Sequence, residues 1–210
     1  MKSVLVACEY SGTVRDAFIK AGHDAYSNDI LDAESNPNKH LKMDVMDAIR
    51  MKRWDLIIIH IPCTAMGVCG NGTYAKGNPK YQERLDSIEW SLSVWREACK
   101  RSDRVVMENP ASVLFSNLKR AYKTKVQYIQ PWQFGHPEQK KTGLALHGVP
   151  PLKETNNVYE YMMTLPRKDR ERIHFMSPGK DRSKERARFY TGFADAMAKQ
   201  WGAIINEITE

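Results

Sequence analysis

The run WDLIIIHI at residues 54–61 constrains the fold of this chain more than any other stretch of its sequence. Residues 56–59 are apolar at consecutive positions, so an extended strand here must bury side chains on both of its faces. Strands of this kind are typical of parallel sheets that are covered by helices on each side. The run therefore predicts the central strand of a doubly covered sheet.

Strand-like and helix-like segments alternate along the rest of the chain. The further predicted strands are SVLVACEY, HDAYSNDI, HLKMDV, RVVMEN, KVQYIQPWQFG and TGLALHG. The predicted helices are TVRDAFIKAGH, Tyr81–Arg101 with Leu85, Ile88, Leu92 and Trp95 on its buried face, ASVLFSNLKRAY, and a last helix at about 190–208. Repeated strand-then-helix units predict an α/β fold with a doubly wound, mostly parallel sheet, whose ligands bind beyond the carboxyl ends of the strands.

The positive charge of the chain is concentrated in one late segment. We expect a single domain over residues 1–210, with a basic loop insertion at about 152–189 before the last helix. The net charge is +7, and residues 166–190 hold nine Lys or Arg against four Asp or Glu. These basic residues are Arg167, Lys168, Arg170, Arg172, Lys180, Arg182, Lys184, Arg186 and Arg188. The segment predicts a polyanionic partner such as DNA, and a solvated charged loop is the alternative.

The sequence carries no signal for a membrane, a metal or disulfides. No apolar stretch reaches the roughly 18 residues that a membrane span requires, and SVLVACEY is too short and too soon polar for a secretory signal. Cys8, Cys63, Cys69 and Cys99 form no C-x-x-C pair and have no histidine at zinc-site spacing. We therefore expect a protein of the reducing cytoplasm, without a membrane partner or a bound metal.

Polar and reactive residues follow the predicted strands where each strand ends. They are Glu9, Ser11 and Gly12 after the first strand, Asp29 after the second, Asp44 after the third, Pro62 and Cys63 after the fourth, and Glu108 and Asn109 after the fifth. Because the carboxyl ends of parallel strands meet at one edge of the sheet, these residues are predicted to line a shared crevice.

The first three strand ends suggest a site for a nucleoside. A glycine before a helix, such as Gly12, can bring the backbone close to a cofactor, and an acid after the second strand, such as Asp29, can bind the two hydroxyls of a ribose. CEYSGTVRDAF contains only one glycine, so the phosphate-binding pattern G-x-G-x-x-G is absent. S-adenosylmethionine, which has a ribose but no phosphate, suits this site. The alternative is that Gly12 forms a turn and Asp29 a cap.

Cys63 and Glu108 suggest chemistry on a ring. A free cysteine is often a small buried apolar residue, but Cys63 lies behind a proline and before a glycine-rich loop, where a thiolate nucleophile can meet a substrate. Glu108 ends an apolar strand, so it is either hydrogen-bonded within the fold or in contact with substrate. A thiol and a protonatable acid in one pocket favour attack on a heteroaromatic ring.

In this order, the segments resemble those of the cytosine-5 DNA methyltransferases. The matching segments are ACEYSGTVRDAF, SNDI, KMDV, IPCTA, MENPAS and GHPEQKKTG. The runs QPWQFGHPEQKKTGLALHGVPPL and DRSKERARFYTGFADAMAKQWG are similar to a group of small, mostly phage-borne proteins described as DNA cytosine methylases. The resemblance covers nearly the whole chain, and it implies the cytoplasm of a bacterial or phage-infected host cell.

The resemblance implies a Rossmann-like, S-adenosylmethionine-dependent methyltransferase fold and methyl transfer to C5 of cytosine in DNA. Cys63 would attack C6, and Glu108 would bind N3 and the exocyclic amine; C5 would then take the methyl group, lose its proton and expel Cys63. Asn109, Lys140 and Lys141 would complete the acceptor site. The donor would be held by Glu9, Ser11, Gly12, Asp29, Asp44 and Pro62.

Several features depart from the family pattern. Only residues 144–188 separate the basic element from the last helix, where the family inserts a large recognition region. Lys140 and Lys141 stand where the family has arginines, and a lysine cannot reproduce the bidentate guanidinium fork. The first loop lacks Phe-x-Gly-x-Gly, and Pro110 follows Glu-Asn. These departures suggest relaxed specificity, a protein partner that supplies recognition, or a substrate other than duplex DNA.

Two alternative functions remain open on this sequence. The first is the modification of a free pyrimidine nucleotide, or the use of another donor, on the same fold. The second is a non-catalytic DNA-binding protein with a decayed cofactor site, which the missing glycines of the first loop would explain.

Overall fold

A seven-stranded sheet carries the fold of this computed structural model, which describes residues 1–177, 179, 185–186 and 188–207. Its strands are β1 Ser3–Ala7, β2 Asp24–Asp29, β3 His40–Lys42, β4 Leu56–His60, β5 Val105–Pro110, β6 Lys125–Ile129 and β7 Thr142–His147. Their order is β3-β2-β1-β4-β5-β7-β6, and only the pairs that involve β7 are antiparallel. The predicted α/β fold with a doubly wound, mostly parallel sheet is confirmed.

Helices cover both faces of this sheet. They are α1 Thr13–Lys20, α2 Val45–Arg50, α3 Asn71–Tyr74, α4 Tyr81–Arg101, α5 Leu114–Tyr122, α6 Tyr159–Thr164, α7 Arg167–Arg170, α8 Arg172–Phe175 and α9 Thr191–Glu207. Helices α1 and α9 pack together on one face, and α2, α4 and α5 lie on the other.

Strand β4 lies at the centre of the molecule, as its sequence predicts. The side chains of Leu56 to Ile59 are all 0% exposed. Leu56 and Ile58 belong to the core beneath α1 and α9, and Ile57 and Ile59 belong to the core beneath α2, α4 and α5. The alternation of the strand therefore joins two separate hydrophobic cores through one segment.

The order of the strands reverses at β1. This strand pairs with β2 on one side and with β4 on the other, so the chain builds β2 and β3 in one direction and then returns to build β4 and β5 in the other. Loops that leave neighbouring strands in opposite directions open a crevice at the carboxyl edge of the sheet. The candidate residues after β1 and β4 lie at this edge.

Two local predictions were wrong. The segment HLKMDV was predicted as one strand, but β3 ends at Lys42, and Asp44 caps α2 by accepting a hydrogen bond from the backbone N–H of Met46 (2.8 Å). Helix α4 does not bury Leu85, which is 39% exposed; its neighbour Arg84 is buried instead. Hydrogen bonds from Arg84 to the loop after β4 determine which face of α4 is buried.

The late part of the chain is only partly an open loop. Helices α6, α7 and α8 lie within the predicted insertion at 152–189, and the side chains of Leu152 and Met162 are buried. The last helix, predicted at about 190–208, is observed at Thr191–Glu207, and residue 208 lies outside the described residues. The first part of the insertion therefore packs on the fold.

The helices, the possible metal ligands and the cysteines of the described ranges bear on membrane spans, metal sites and disulfides. No helix there combines the length and the apolar character that crossing a bilayer requires. Within the same ranges, no group of three or more His, Cys, Asp or Glu side chains is arranged to hold a metal ion. Cys8, Cys63, Cys69 and Cys99 all have free thiols.

The packing of β7 against α5 gives a test of this fold. A methyl group added at Gly143 would overlap the ring of Phe115, whereas one added at Gly72 would meet nothing within 4 Å. We expect Gly143→Ala to lower the free energy of unfolding by about 1–3 kcal/mol through overpacking, and Gly72→Ala to change it by less than about 1 kcal/mol. Urea unfolding followed by circular dichroism measures both. Equal midpoints for the two variants would contradict this packing.

Candidate active site

The loop after β4 presents Cys63 at the carboxyl edge of the sheet. Ile61 is the last buried residue of this run, and Pro62 and Cys63 are exposed. The carbonyl oxygen of Cys63 accepts hydrogen bonds from the backbone N–H groups of Met66 (3.1 Å) and Gly67 (2.8 Å). The chain therefore turns immediately after the cysteine, which fixes the backbone that carries the thiol.

Arg84 holds this loop in place from helix α4. Its buried guanidinium donates to the carbonyl oxygens of Ala65 (2.7 Å) and Gly67 (3.4 Å) and to Oδ1 of Asn71 (2.9 Å). A guanidinium with several donors in a fixed geometry is well suited to bind loop carbonyls. Nothing in the sequence marked Arg84 as a loop-holding residue, because its partners lie on a distant loop.

Glu108 lies beside the end of β4. The parallel register pairs it with His60, and its Oε2 lies 3.3 Å from Nδ1 of that imidazole. Glu108 is 9% exposed. The neighbouring Asn109 is fully buried, and its Nδ2 donates to the carbonyl oxygen of Ile61 (2.8 Å). Asn109 thus fixes the backbone just before Pro62.

The structure separates the two lysines of the basic element. The amine of Lys140 donates to the carbonyl oxygens of Arg186 (2.8 Å) and Arg188 (3.4 Å), and it is close enough to Cys63 and Glu108 to interact with both charges. Burial lowers its pKa, and the charge of Glu108 opposes that shift. Lys141 is exposed instead, with its amine 4.6 Å from the centroid of the Tyr128 ring. Only Lys140 joins the candidate site.

Opposing effects act on the thiol of Cys63. The pKa of this thiol is raised, first because the surrounding protein desolvates the thiolate and then because of the charge of Glu108. The charge of Lys140 acts in the other direction and lowers the pKa. A carboxylate and an amine therefore shift the pKa of the Cys63 thiol in opposite directions. A change in either charge changes the fraction of reactive thiolate.

Side chains of the loop after β1 hold this loop through hydrogen bonds. The buried carboxylate of Glu9 accepts hydrogen bonds from the backbone N–H groups of Val14 (2.7 Å) and Arg15 (3.2 Å), at the start of α1. Burial raises the pKa of Glu9. The hydroxyl of Ser11 lies 3.2 Å from that of Thr13. The backbone of these two residues also reaches outside the loop: the N–H of Glu9 donates to the carbonyl oxygen of Asn28 (2.8 Å), and the carbonyl oxygen of Ser11 accepts from Oγ of Ser35 (3.3 Å).

Both the backbone conformation at position 12 and the neighbouring Arg15 side chain require a glycine there. Its φ is +76°, and an added methyl group would overlap the guanidinium of Arg15. That guanidinium is fully buried and donates to Oγ of Ser27 (2.8 Å) and Oγ of Ser35 (2.7 Å). Arg15 therefore joins the β1 loop to the loop after β2.

Cys8 and two acids lie together at the ends of β1, β2 and β3. Cys8 has a φ of +58°, which is uncommon for a residue other than glycine. Burial, followed by the charges of Asp29 and Asp44, raises the pKa of its thiol to about 12. Oδ1 of Asp29 accepts from the backbone N–H of Leu31 (3.0 Å), whereas no hydrogen bond reaches its Oδ2 within the described part of the chain. The carboxylate has an oxygen available for a hydroxyl group of a ligand.

Several cations of the basic segment are paired with acids. Arg167 pairs with Glu171 (2.9 Å), Arg172 with Glu138 (3.1 Å), and Arg188 with Glu185 (2.9 Å). The N–H of Gln139 donates to the carbonyl oxygen of Arg170 (2.6 Å), next to Lys140. Lys168 is exposed, and Lys180, Arg182 and Lys184 lie outside the described residues. The described part of the segment thus packs beside the candidate site, and three of its six described Lys and Arg side chains are in these ion pairs.

The strand order and the residues at the carboxyl edge place the chain in a definite class. It is an α/β protein with a Rossmann-like, mostly parallel sheet, with a Pro-Cys loop at its switch-point edge. No family model matches the sequence. No curated protein matches it either.

Solved structures of methyltransferases resemble the chain in overall shape. One is a prophage-encoded E. coli protein, provisionally described as a DNA modification methyltransferase (12% identity, TM-score 0.47, 70% of this chain and 46% of that one). Others are the Entamoeba histolytica methyltransferase EhMeth (13%, 0.48, 75% and 57%) and S. pombe Dnmt2 methyltransferase (15%, 0.44, 88% and 63%). The chain spans about half to two thirds of these proteins, and likenesses at this level establish neither a family nor an activity.

The opposing charges at Cys63 predict opposite effects of two substitutions. Lys140→Met should raise the pKa of the Cys63 thiol and slow its alkylation by iodoacetamide at neutral pH, whereas Glu108→Gln should lower that pKa and speed the reaction, each by about threefold or more. Mass spectrometry of the modified peptides measures the rates. Cys99, whose thiol pKa is raised to about 11 by burial alone, is the internal control. Rates that change in the same direction would contradict this arrangement.

Proposed function

We propose that the protein transfers a methyl group from S-adenosylmethionine to C5 of cytosine in DNA, through a transient bond between Cys63 and C6 of the base. The observation that carries this proposal is the convergence of Cys63, Glu108 and Lys140. They come from three separate segments of the chain, and their charges interact at one edge of the sheet. A nucleophile, a carboxyl group and a cation are the groups that addition to a pyrimidine ring requires.

In this mechanism, Cys63 supplies the nucleophile and Glu108 holds the ring. The thiolate forms a bond to C6, and the electron pair of the C5–C6 double bond moves into the ring, where a proton that the Glu108 carboxyl group holds when the base is bound is shared with N3 and stabilises the developing charge. S-adenosylmethionine, when bound, would supply the methyl group that C5 then accepts and would leave as the neutral thioether S-adenosylhomocysteine. Loss of the C5 proton to solvent restores the double bond and expels Cys63 as the thiolate. Asn109 contributes by fixing the backbone before Pro62.

Lys140 has a different task from the arginines whose place it occupies. A lysine amine is a single point charge and cannot grip a base with two parallel hydrogen bonds. Its charge lowers the pKa of the Cys63 thiol and therefore favours the reactive thiolate. We assign Lys140 to activation of the nucleophile, and we give Lys141 no part in the reaction because it lies on the Tyr128 ring.

The donor would bind across the ends of β1, β2 and β3. Asp29 has a carboxylate oxygen available for a ribose hydroxyl, and Asp44 would lie towards the adenine. Glu9, Ser11 and Gly12 would act through the shape of the loop, since Glu9 already accepts two backbone hydrogen bonds from α1. Pro62 would lie between the donor and acceptor sites.

The acceptor is the least constrained part of the proposal. A cytosine within duplex DNA has to be flipped out, at a cost of a few kcal/mol that phosphate contacts must offset. The ion pairs of Arg167, Arg172 and Arg188 leave fewer cations for such contacts. This observation keeps a free pyrimidine nucleotide as the second candidate acceptor, and it favours a protein partner that supplies recognition if the acceptor is DNA.

Substitution of Cys63 tests the proposal with a matched control in the same loop. With tritium-labelled S-adenosylmethionine and a cytosine-containing oligonucleotide, Cys63→Ala should lower methyl transfer by at least about a thousandfold, because the covalent route is lost. Cys69→Ala, at another exposed free thiol, should leave transfer within about threefold of wild type. Both variants should bind the donor as the wild type does in calorimetry.

The same experiment separates the alternatives. Normal transfer by Cys63→Ala would eliminate the proposed chemistry. Label that enters a free cytidine nucleotide but not the oligonucleotide would favour the second acceptor. A wild-type protein that binds DNA but no donor would favour a non-catalytic DNA-binding protein.

A further inference from the structure

His60 is the last residue of β4 and lies beside Glu108. The two residues are paired in the parallel register, and Nδ1 of His60 is 3.3 Å from Oε2 of Glu108. Each side chain is 12% exposed. Within the described residues, His60 is the only group that forms a hydrogen bond with the carboxyl group of Glu108. A buried carboxyl group with a single partner owes its orientation to that partner.

Other groups pack around the imidazole of His60. Its ring meets the ring of Phe189 edge to face, with 4.7 Å between the centroids. Its Nε2 is buried and has no hydrogen-bond partner in the part of the chain that the structure describes. The buried carboxylate of Glu9 also lies within electrostatic reach of the imidazole. The ring is therefore fixed by packing, and among the described residues only its Nδ1 makes a hydrogen bond.

We propose that His60 is a positioning residue for methyl transfer: its Nδ1–H donates to Oε2 of Glu108 and turns Oε1 towards the cytosine ring. The proposal rests on the proposed function for the identity of the acceptor. The Nδ1–H tautomer follows from the contacts, because the carboxylate can accept from Nδ1 and no group among the described residues accepts from Nε2. His60 does not touch the reacting atoms and acts through Glu108.

Two substitutions at His60 separate positioning from simple packing. Asparagine places an amide N–H near the position of Nδ1 and keeps the hydrogen bond, whereas leucine fills the space without a donor. We expect His60→Leu to lower kcat by about 10- to 100-fold, with KM for the donor changed by less than about threefold, because the carboxyl group is misplaced. His60→Asn should recover kcat to within about fivefold of wild type. Urea unfolding midpoints confirm that both variants are folded.

Two kinetic outcomes would overturn the proposal. One is a His60→Leu variant with the kcat of wild type. The other is a folded His60→Asn variant that is as slow as His60→Leu, since the hydrogen bond would then not be the feature that matters.

A second readout does not depend on activity. Side-chain ¹⁵N NMR of the histidines should show His60 protonated at Nδ1, with resonances that shift in Glu108→Gln and stay in place in Asp29→Asn. Protonation at Nε2, or resonances that do not respond to Glu108→Gln, would overturn the assignment. If the wild type transfers no methyl group but the NMR result holds, the proposed function fails while the contact between His60 and Glu108 stands.

Discussion

Burial of β4 on both faces is the constraint on which the rest of this structure depends. Because residues 56–59 must be covered by helices on each side, the sheet is parallel around them and its loops meet at the carboxyl edge. Ile61 is still buried, so Pro62 and Cys63 are the first exposed residues after β4. The same strand that builds the core therefore determines where the Cys63 thiol lies.

The site combines a thiol, a carboxylate and an amine in partly desolvated surroundings. Desolvation and Glu108 favour the protonated thiol, and Lys140 favours the thiolate. If Glu108 hydrogen-bonds to a base as proposed, part of its charge is compensated and its effect on the thiol should weaken. Binding of the proposed acceptor would thereby favour the thiolate of Cys63, and the thiol would be less reactive in its absence.

The sheet and part of the site could be predicted from sequence because they follow from local rules. The apolar run of β4 indicated a parallel sheet, and the ends of parallel strands must converge, which brought Cys63 and Glu108 together. Arg84 and His60 could not be found in this way, because their roles depend on loop carbonyls and on strand register that no local pattern encodes. Helix α2 was missed because its short apolar pattern could equally be extended, and the cap at Asp44 decided the outcome.

The most direct test of the central claim is to trap the bond between Cys63 and a cytosine ring. Incubation of the protein with S-adenosylmethionine and an oligonucleotide that contains 5-fluorocytosine, followed by a denaturing gel, should give a covalent adduct, because the fluorine at C5 cannot leave as a proton does. The adduct should form with wild type and be absent with Cys63→Ala. An adduct that persists in Cys63→Ala, or no adduct from a protein that binds both donor and oligonucleotide, would contradict this account.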